Sequence, residues 1–328
     1  MNKNPLSDQQ RQRIQTNQQQ YVESAQEPTL DLSQAQQGLL ISHYGATVEV
    51  EDQHGDVHRC VLRQNLAPLV VGDRVAWQMN KNGNGVVLAH MARQSVLSRP
   101  NRQGDLKPVA ANVDLMAIVI AAHPVFSENL LDQYLVAAEL LNIEPLIVLN
   151  KKDLLKDAEL KTIKKRLSIY KDIGVNVVLL SSHQKSSLEP LNKQLKGKTA
   201  VFVGQSGVGK SSLVQALLPA SKLKVSAVSQ QGYGRHTTTV ARLYHLPEGG
   251  SVIDSPGVRE FGLWHISEED LFAGFREFQA YKDQCQFRNC QHNRELGCAL
   301  HAAVKSGEVT QQRFNSFKKL LVSINHVY

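Results

Sequence analysis

Glycine, lysine and hydroxyl residues meet in the run Gly204-Gln205-Ser206-Gly207-Val208-Gly209-Lys210-Ser211-Ser212. The spacing G-x-x-x-x-G-K-S suits a loop that wraps backbone N–H groups around phosphates, with the positive end of the next helix behind them. Lys210 would reach the β and γ phosphates of a nucleotide, where it steadies the charge that develops in phosphoryl transfer, and the Ser211 hydroxyl would help to hold Mg²⁺. A second group, Asn150-Lys151-Lys152-Asp153, offers a carboxylate that can accept from both the ring N–H and the exocyclic amine of guanine, a pattern adenine cannot match. Taken alone it reads equally well as a charged strand-to-helix turn with Asp153 as the cap. A third, Asp254-Ser255-Pro256-Gly257, would give Asp254 to the water shell of Mg²⁺ and the Gly257 N–H to a γ-phosphate. D-x-x-G by itself arises by accident about once in a chain of this length.

Between the second and third of these positions along the chain lies Gly232-Tyr-Gly-Arg-His-Thr-Thr-Thr239. A nucleotide switch needs one threonine there that swings in to the metal and the γ-phosphate; Thr238 is the first choice, with Thr237 and Thr239 as alternatives. The residue after Gly257, where many such enzymes keep a water-orienting glutamine, is Val258. Another group must then place the water, and His236 is the candidate catalytic residue, against the plainer reading of a solvated loop histidine. Ser181 and Ser182, in Ser181-Ser182-His183, would form a second loop on the base side, its backbone touching the guanine carbonyl; so short a motif is not evidence by itself.

The elements around these residues are of the kind that positions them. Thr199–Val203 is a short apolar strand run and Ser212–Leu218 has helical spacing, so the phosphate loop sits in a strand–loop–helix frame. Ile147–Leu149 ends at Asn150, and Ser251–Ile253 ends at Asp254, which places both motifs at the carboxyl ends of strands, where open α/β sheets bind ligands. Val113–Ile120 and Val175–Leu180 are continuous apolar runs, with helical spacing from Leu130 to Leu141, the pattern of a sheet buried on both faces. Leu188–Lys198 would be the connection that joins the termini of an unpermuted core. Upstream, Gly38–Ile41, Ala46–Val50, Val57–Leu62, Asp73–Trp77 and Gly85–Ala89 read as five short strands. They suit an OB-type barrel, a fold that often binds oligonucleotides, or a plain small barrel acting as a spacer.

After Asp254, Ser267 with Asp270 three residues on predicts a capped helix with Leu271, Phe272, Phe275 and Phe278 on one face. Cys285-x4-Cys290-x-His292-x5-Cys298 then gathers three thiols and one imidazole. That set can close a tetrahedral Zn²⁺ site of structural type, the alternative being free or redox thiols. Cys60 lies in a strand run and reads as core. Thr310 should cap a last helix with Phe314, Phe317, Leu320, Leu321 and Ile324 inside and Arg313, Lys318 and Lys319 outside.

The 328 residues exceed one ordinary domain, and 42% hydrophobic content supports globular cores. No apolar run is long enough to span a bilayer and the amino-terminal stretch is rich in Gln and Asn, so a cytoplasmic protein without a membrane partner is expected. A net charge of +7 suits a polyanion without proving one. Residues 1–35 should be a disordered arm. From Lys282 onward seven basic residues face Asp283, Glu295 and Glu308, which makes this end the expected RNA-facing surface.

The order of the motifs is the most informative feature. In an ordinary small GTPase the phosphate loop comes first and the base-reading loop later; here Asn150–Asp153 precedes Gly204–Ser211, so the chain reads as a circularly permuted GTPase. That order, the barrel before it, Gly-Arg-His-Thr-Thr-Thr, Asp-Ser-Pro-Gly and the Cys-Cys-His-Cys tail together resemble the ribosome small subunit-dependent GTPase A family over about residues 36–328. The resemblance implies an α/β P-loop GTPase core, circularly permuted, with an N-terminal OB-type barrel and a C-terminal zinc-binding helical domain. The expected division is 1–35, 36–98, 99–275 and 276–328. It further implies hydrolysis of GTP to GDP on the 30S ribosomal subunit during late maturation, 16S rRNA as partner, Mg²⁺ with GTP, one structural Zn²⁺ and a monomer. The alternative within the class is a GTP-dependent switch acting on another RNA or partner. Outside it stand a P-loop ATPase or small-molecule kinase, which Asn150–Asp153 opposes, and an RNA adaptor with a vestigial site, which Lys210, Ser211 and Asp254 oppose.

Overall fold

The computed structural model describes residues 35–63, 66–80, 84–101, 104–218, 240–255, 258, 266–288, 290–293 and 295–325. In chain order the barrel region supplies β1 (Gln36–His43), β2 (Thr47–Glu51), β3 (Val57–Leu62), β4 (Arg74–Met79) and β5 (Gly85–His90), followed by β6 (Val96–Pro100) and β7 (Leu106–Ala111). Next come β8 (Leu115–Ile120), α1 (Glu128–Leu140), β9 (Glu144–Leu149), α2 (Asp157–Asp172), β10 (Asn176–Leu179), α3 (Glu189–Leu195), β11 (Thr199–Val203) and α4 (Lys210–Leu217). The chain ends through β12 (Ala241–His245), β13 (Ser251–Asp254), α5 (Glu268–Gly274), α6 (Ala299–Ser306) and α7 (Gln311–Asn325). These elements form two compact units, residues 1–115, 192–202 and 217–261 in one, and 116–191, 203–216 and 262–328 in the other.

In the first unit the barrel runs β1-β2-β3-β5-β4, and β4 pairs back onto β1 to close it. The β3–β5 pair is parallel and the other barrel pairs are antiparallel, the five-stranded topology expected of an OB-type barrel. Alternation explains the filling. Val48, Val50, Cys60, Val75, Trp77 and Val87 point inward and are essentially inaccessible, while their strand neighbours Glu49 and Arg59 face out. Gly38 is required by a close approach, because a Cβ there would run into Val50 and the Trp77 ring. Asp73, fully buried, takes Arg93 Nε at 2.6 Å and Nη2 at 2.8 Å and the Val70 N–H at 2.8 Å, so its charge is paired and hydrogen-bonded as burial demands. The same unit contains the β6–β7 hairpin, and β11, β13 and β12 side by side, with β11 parallel and β12 antiparallel to β13. Through Ser42–Arg242 and His43–Ala241, β12 also pairs with β1.

The second unit holds neighbouring strands in the order β10-β9-β8, with β9 and β10 parallel. Every residue of β8 and five of the six in β9 are buried, as both faces of a parallel sheet should be. Helix α1 packs on β9 and also on α5 and α7, so Leu131, Asp132, Tyr134, Leu135, Val136, Ala137 and Ala138 are all buried.

The Ser267 cap forms as expected: its hydroxyl accepts from the Asp270 N–H at 3.0 Å and the Asp270 carboxylate accepts from the Ser267 N–H at 3.1 Å. The helix it starts is shorter than the spacing predicts. It stops at Phe275, whose backbone is extended, and a 3-10 turn over Arg276–Tyr281 carries Phe278. The break lets Phe275 and Phe278 stack at 4.9 Å, both edge-on to Phe317, in one core with Leu271, Leu300, Phe314 and Leu320. Arg313 is a second correction. It is only 2% exposed, not outside: Nη1 meets Asp132 of α1 at 2.6 Å, Nε meets Glu277 at 2.6 Å, and the guanidinium lies 4.3 Å over Phe275. A planar cation that can pair on one edge and stack on its face suits such a place, whereas Lys318 and Lys319 keep to the outer side. Burial opposes the Arg313 charge, but Asp132 and Glu277 outweigh it and hold its pKa above the usual range; burial pushes the Asp132 carboxyl up against the pull of Arg313.

Candidate functional site

Three loops of the second unit converge on Asn150. Its side chain is fully buried; Nδ2 donates to the Val208 carbonyl at 3.0 Å and Oδ1 accepts from the Ser182 N–H at 3.1 Å. One amide therefore ties the phosphate-type loop to the Ser181–Ser182 loop, a use that needs a donor and an acceptor on the same short side chain. Lys151 holds a left-handed backbone, φ 59°, and its Nζ donates to the Gly207 carbonyl at 2.7 Å and the His123 carbonyl at 3.1 Å. Such a conformation in a non-glycine residue costs on the order of 1–3 kcal/mol and is found where a fixed loop geometry is being used. The Lys152 N–H closes the same arrangement on the Leu180 carbonyl at 3.1 Å, and the Ser181 N–H donates to Ser187 Oγ at 3.0 Å. Lys152 and Asp153 stay exposed, on a 3-10 turn at the carboxyl end of β9.

The glycine-rich loop leads from β11 into α4. Gly204 must lack a side chain because the Val119 carbonyl lies over it, and at Gly209, φ 95°, a Cβ would strike the Asn150 amide. The Gly209 carbonyl accepts from the Leu213 N–H at 3.0 Å and opens α4. Lys210, on the first turn, folds back with Nζ 2.6 Å from the Gly204 carbonyl and 2.7 Å from that of Gln205. Ser206, Gly207, Ser211 and Ser212 are exposed and Val208 is buried. Buried Tyr134 of α1 lies against Gly204, with Leu130, Leu131 and Gln205 in the same small cavity. Asp254 ends β13, paired in register with Arg242, and Val258 is buried. His236, Thr238 and Gly257 lie outside the described residues.

The sulfur-rich group closes on itself. The ligand atoms of Cys285, Cys290, His292 and Cys298 all lie within 4.8 Å of one another. His292 Nδ1 is 3.6, 3.7 and 3.4 Å from the three sulfurs in that order. A tetrahedral Zn²⁺ would set nitrogen and sulfur ligands roughly 3.6 Å apart, so the donor set and its spacing fit that ion. Burial pushes the Cys290 thiol up to about 12 and raises Cys298, and burial lowers His292, keeping its imidazole in the neutral form that coordinates. A bound cation would turn the thiols to thiolates. His292 stacks at 5.4 Å on Phe272 and the Ala299 N–H donates to Cys285 Sγ at 3.4 Å, so the cluster is fastened to the aromatic core.

Residues 90–264 match the model of the RsgA GTPase family. A small ribosomal subunit biogenesis GTPase RsgA from Pseudomonas syringae pv. tomato is 50% identical over 299 residues, covering 90% of this chain and 87% of its own. The chain belongs to the RsgA GTPase family. This RsgA-family enzyme hydrolyses GTP, and its fold is that of solved relatives. The crystal structure of YjeQ from Thermotoga maritima superposes with a TM-score of 0.73 at 32% identity, covering 88% of this chain and 98% of its own. YloQ, described as a circularly permuted GTPase, gives 0.72 at 32% identity, covering 90% and 96%. The motif order of this RsgA-family chain is accordingly a true permutation. Sequence reasoning missed two supports of its site. His123 contributes only a carbonyl, which leaves no side-chain signature, and Tyr134 is one apolar helix position among many.

Proposed function

We propose that this GTPase acts on the 30S ribosomal subunit during late maturation, touching 16S rRNA, and that GTP hydrolysis ends the engagement. The observation that carries the nucleotide part is the Asn150 amide between Val208 and Ser182, with Lys151 on Gly207. Base-reading and phosphate-holding loops are locked at a fixed separation, which is what a guanine nucleotide spanning them requires. Asp153 reads the base, Ser181 and Ser182 line its far side, and Gly204 to Ser212 wrap the phosphates. Lys210 leaves its loop carbonyls for the β and γ phosphates. Ser211 and Thr238 would hold Mg²⁺, with Asp254 on its water shell, and the ion would supply charge neutralisation at the γ-phosphate. Gly257 meets the same phosphate and His236 orients the water. Replacing His236 by Ala should slow turnover and leave GTP affinity nearly unchanged; wild-type turnover would remove it from the mechanism.

The name of the Pseudomonas relative supports the small subunit as partner. The basic C-terminal segment, braced by one structural Zn²⁺ on Cys285, Cys290, His292 and Cys298, and the OB-type barrel provide RNA-facing surfaces. Among the described residues no helix is long and apolar enough to cross a membrane, and we place the protein in the cytoplasm as a monomer. Gly257, at the end of the switch, lies 28 residues before Cys285, the first residue of the metal cluster, so a shift there would pull on the C-terminal part. Binding of 30S particles measured with a GTP analogue and with GDP tests this: unequal affinities are expected, since a ligand without differential affinity shifts nothing. Equal affinities would leave another RNA or partner as the target. Asp153→Asn should move preference from guanine to xanthine nucleotides, because an amide donates where the carboxylate accepted; unchanged GTP preference would remove Asp153 from base reading.

A further inference from the structure

Val125, Leu154, Phe287, Leu296 and Val322 are the exposed large apolar side chains among the described residues of the second unit, and one of them is aromatic. Of the eight described phenylalanines, Phe126, Phe202, Phe275, Phe278, Phe314 and Phe317 are buried and Phe272 is half-buried against the metal cluster. Phe287 alone is 50% exposed and makes no ring contact among the described residues. It stands in the loop between two metal-site cysteines, Cys285 and Cys290. Its own carbonyl accepts from the Cys290 N–H at 3.2 Å, and the Gln286 N–H donates to the Gly297 carbonyl at 3.0 Å. That cross-link ties the loop of Phe287 to the turn that carries Leu296, which is 86% exposed. A ring held out by a loop pinned on both sides loses little conformational freedom when something covers it.

The charges around the ring indicate what covers it. Arg288 follows it and is exposed. Of the nearby carboxylates, Glu295 is half-buried and accepts from the Gln291 and Asn293 N–H groups, while Asp283 and Glu308 are exposed, Glu308 accepting from the Tyr281 and Ser306 hydroxyls. What faces outward at this loop is an aromatic ring with the cation of Arg288 next to it in the chain. That pairing suits an unpaired nucleobase, which has a π face to stack and a phosphate on either side to neutralise.

We propose that Phe287 is a stacking platform for an unpaired nucleotide of RNA, with Arg288 on the adjoining phosphate. The inference rests on the reading that this protein binds the small ribosomal subunit, and it commits to the RNA of that particle, not to a ribosomal protein. The test uses the full-length, metal-loaded chain and isolated 30S subunits. Phe287→Ala should weaken binding roughly 5- to 150-fold. Phe287→Leu, equally apolar but without a π face, should lose nearly as much, and Phe287→Trp should bind like wild type with its emission quenched in the complex. Arg288→Gln should lower the slope of log affinity against log salt by about 0.7–0.9. Metal content and turnover without subunits should be unchanged in all of them. With p-benzoylphenylalanine at position 287, the photo-crosslink should go to rRNA. Wild-type affinity in Phe287→Ala, full retention in Phe287→Leu, or a crosslink to a ribosomal protein would each overturn the proposal while leaving subunit binding intact. Failure of the wild-type chain to bind the subunit would instead overturn the functional reading beneath it.

Discussion

Replacing Arg313 by Met tests whether the C-terminal helix is locked to the GTPase core by charge in a dry setting. The guanidinium is 2% exposed, Asp132 is inaccessible, and their atoms meet at 2.6 Å, with Glu277 at 2.6 Å on the other edge. Removing one partner of such a pair leaves a buried carboxylate uncompensated, at about 3–5 kcal/mol. That is a large fraction of the ~5–15 kcal/mol that holds a typical domain together. The variant should also acquire a pH dependence. Burial already pushes the Asp132 carboxyl up, and without Arg313 only the Ser316 and Tyr170 hydroxyls pull the other way, so the folded state would hold a proton that the unfolded chain releases near pH 4. Folding then binds protons above that pH, and stability must fall as pH rises from about 4 towards neutrality. Urea unfolding followed by circular dichroism at pH 5 and pH 8 reads both effects, the deficit being larger at pH 8. Adding Asp132→Leu and Glu277→Leu, which fills the site with apolar volume, should restore most of the loss and flatten the pH profile. A single variant within about 1 kcal/mol of wild type at both pH values would show that the pair is solvated in solution and refute the reasoning.

Other expectations follow from the loops and the cluster. Asn150→Ala breaks two buried hydrogen bonds and leaves the Val208 carbonyl and Ser182 N–H unpaired, at about 1–3 kcal/mol each; binding of a fluorescent GDP should weaken on the order of 100-fold, with wild-type affinity counting against the tie. Gly209→Ala puts a methyl against the Asn150 amide at φ 95°, so the loop must shift and nucleotide affinity should drop at least tenfold in the same titration. Cys290→Ser should lower metal content and expose the Phe272–Phe317 core to an apolar dye, and chelation of the wild-type protein should do the same; a cluster without structural weight would change neither.

Much of this was legible because the relevant residues carry their own constraints. The five barrel strands announce themselves through alternation, since one face of each is packed and the other wet, and β8 and β9 through unbroken apolar runs. The phosphate loop is legible because its glycines are needed for close approach, as Gly204 under the Val119 carbonyl demonstrates. The β6–β7 hairpin escaped because Pro100, Lys107 and Pro108 blur its periodicity, and β12 because Ala241–His245 is short and carries Arg242 and His245 among its apolar residues. Arg313 misled the reading for a different reason. Its spacing places it beside the apolar face of α7, and only Asp132 and Glu277, 181 and 36 positions away, make that place tolerable for a charge. Pairings that distant leave no local pattern. Phe275 was assigned correctly to the core but to the wrong backbone, because stacking with Phe278 outweighed one more turn of helix.

The central claim is that one guanine nucleotide spans the loops joined by Asn150 and that its hydrolysis answers to the small ribosomal subunit. GTP turnover by the purified protein, with and without isolated 30S subunits and with Lys210→Ala as the blank, tests it most directly. The account predicts low turnover alone, strong stimulation by 30S subunits, and none of either in the Lys210 variant. Equal turnover with and without the particle would contradict it.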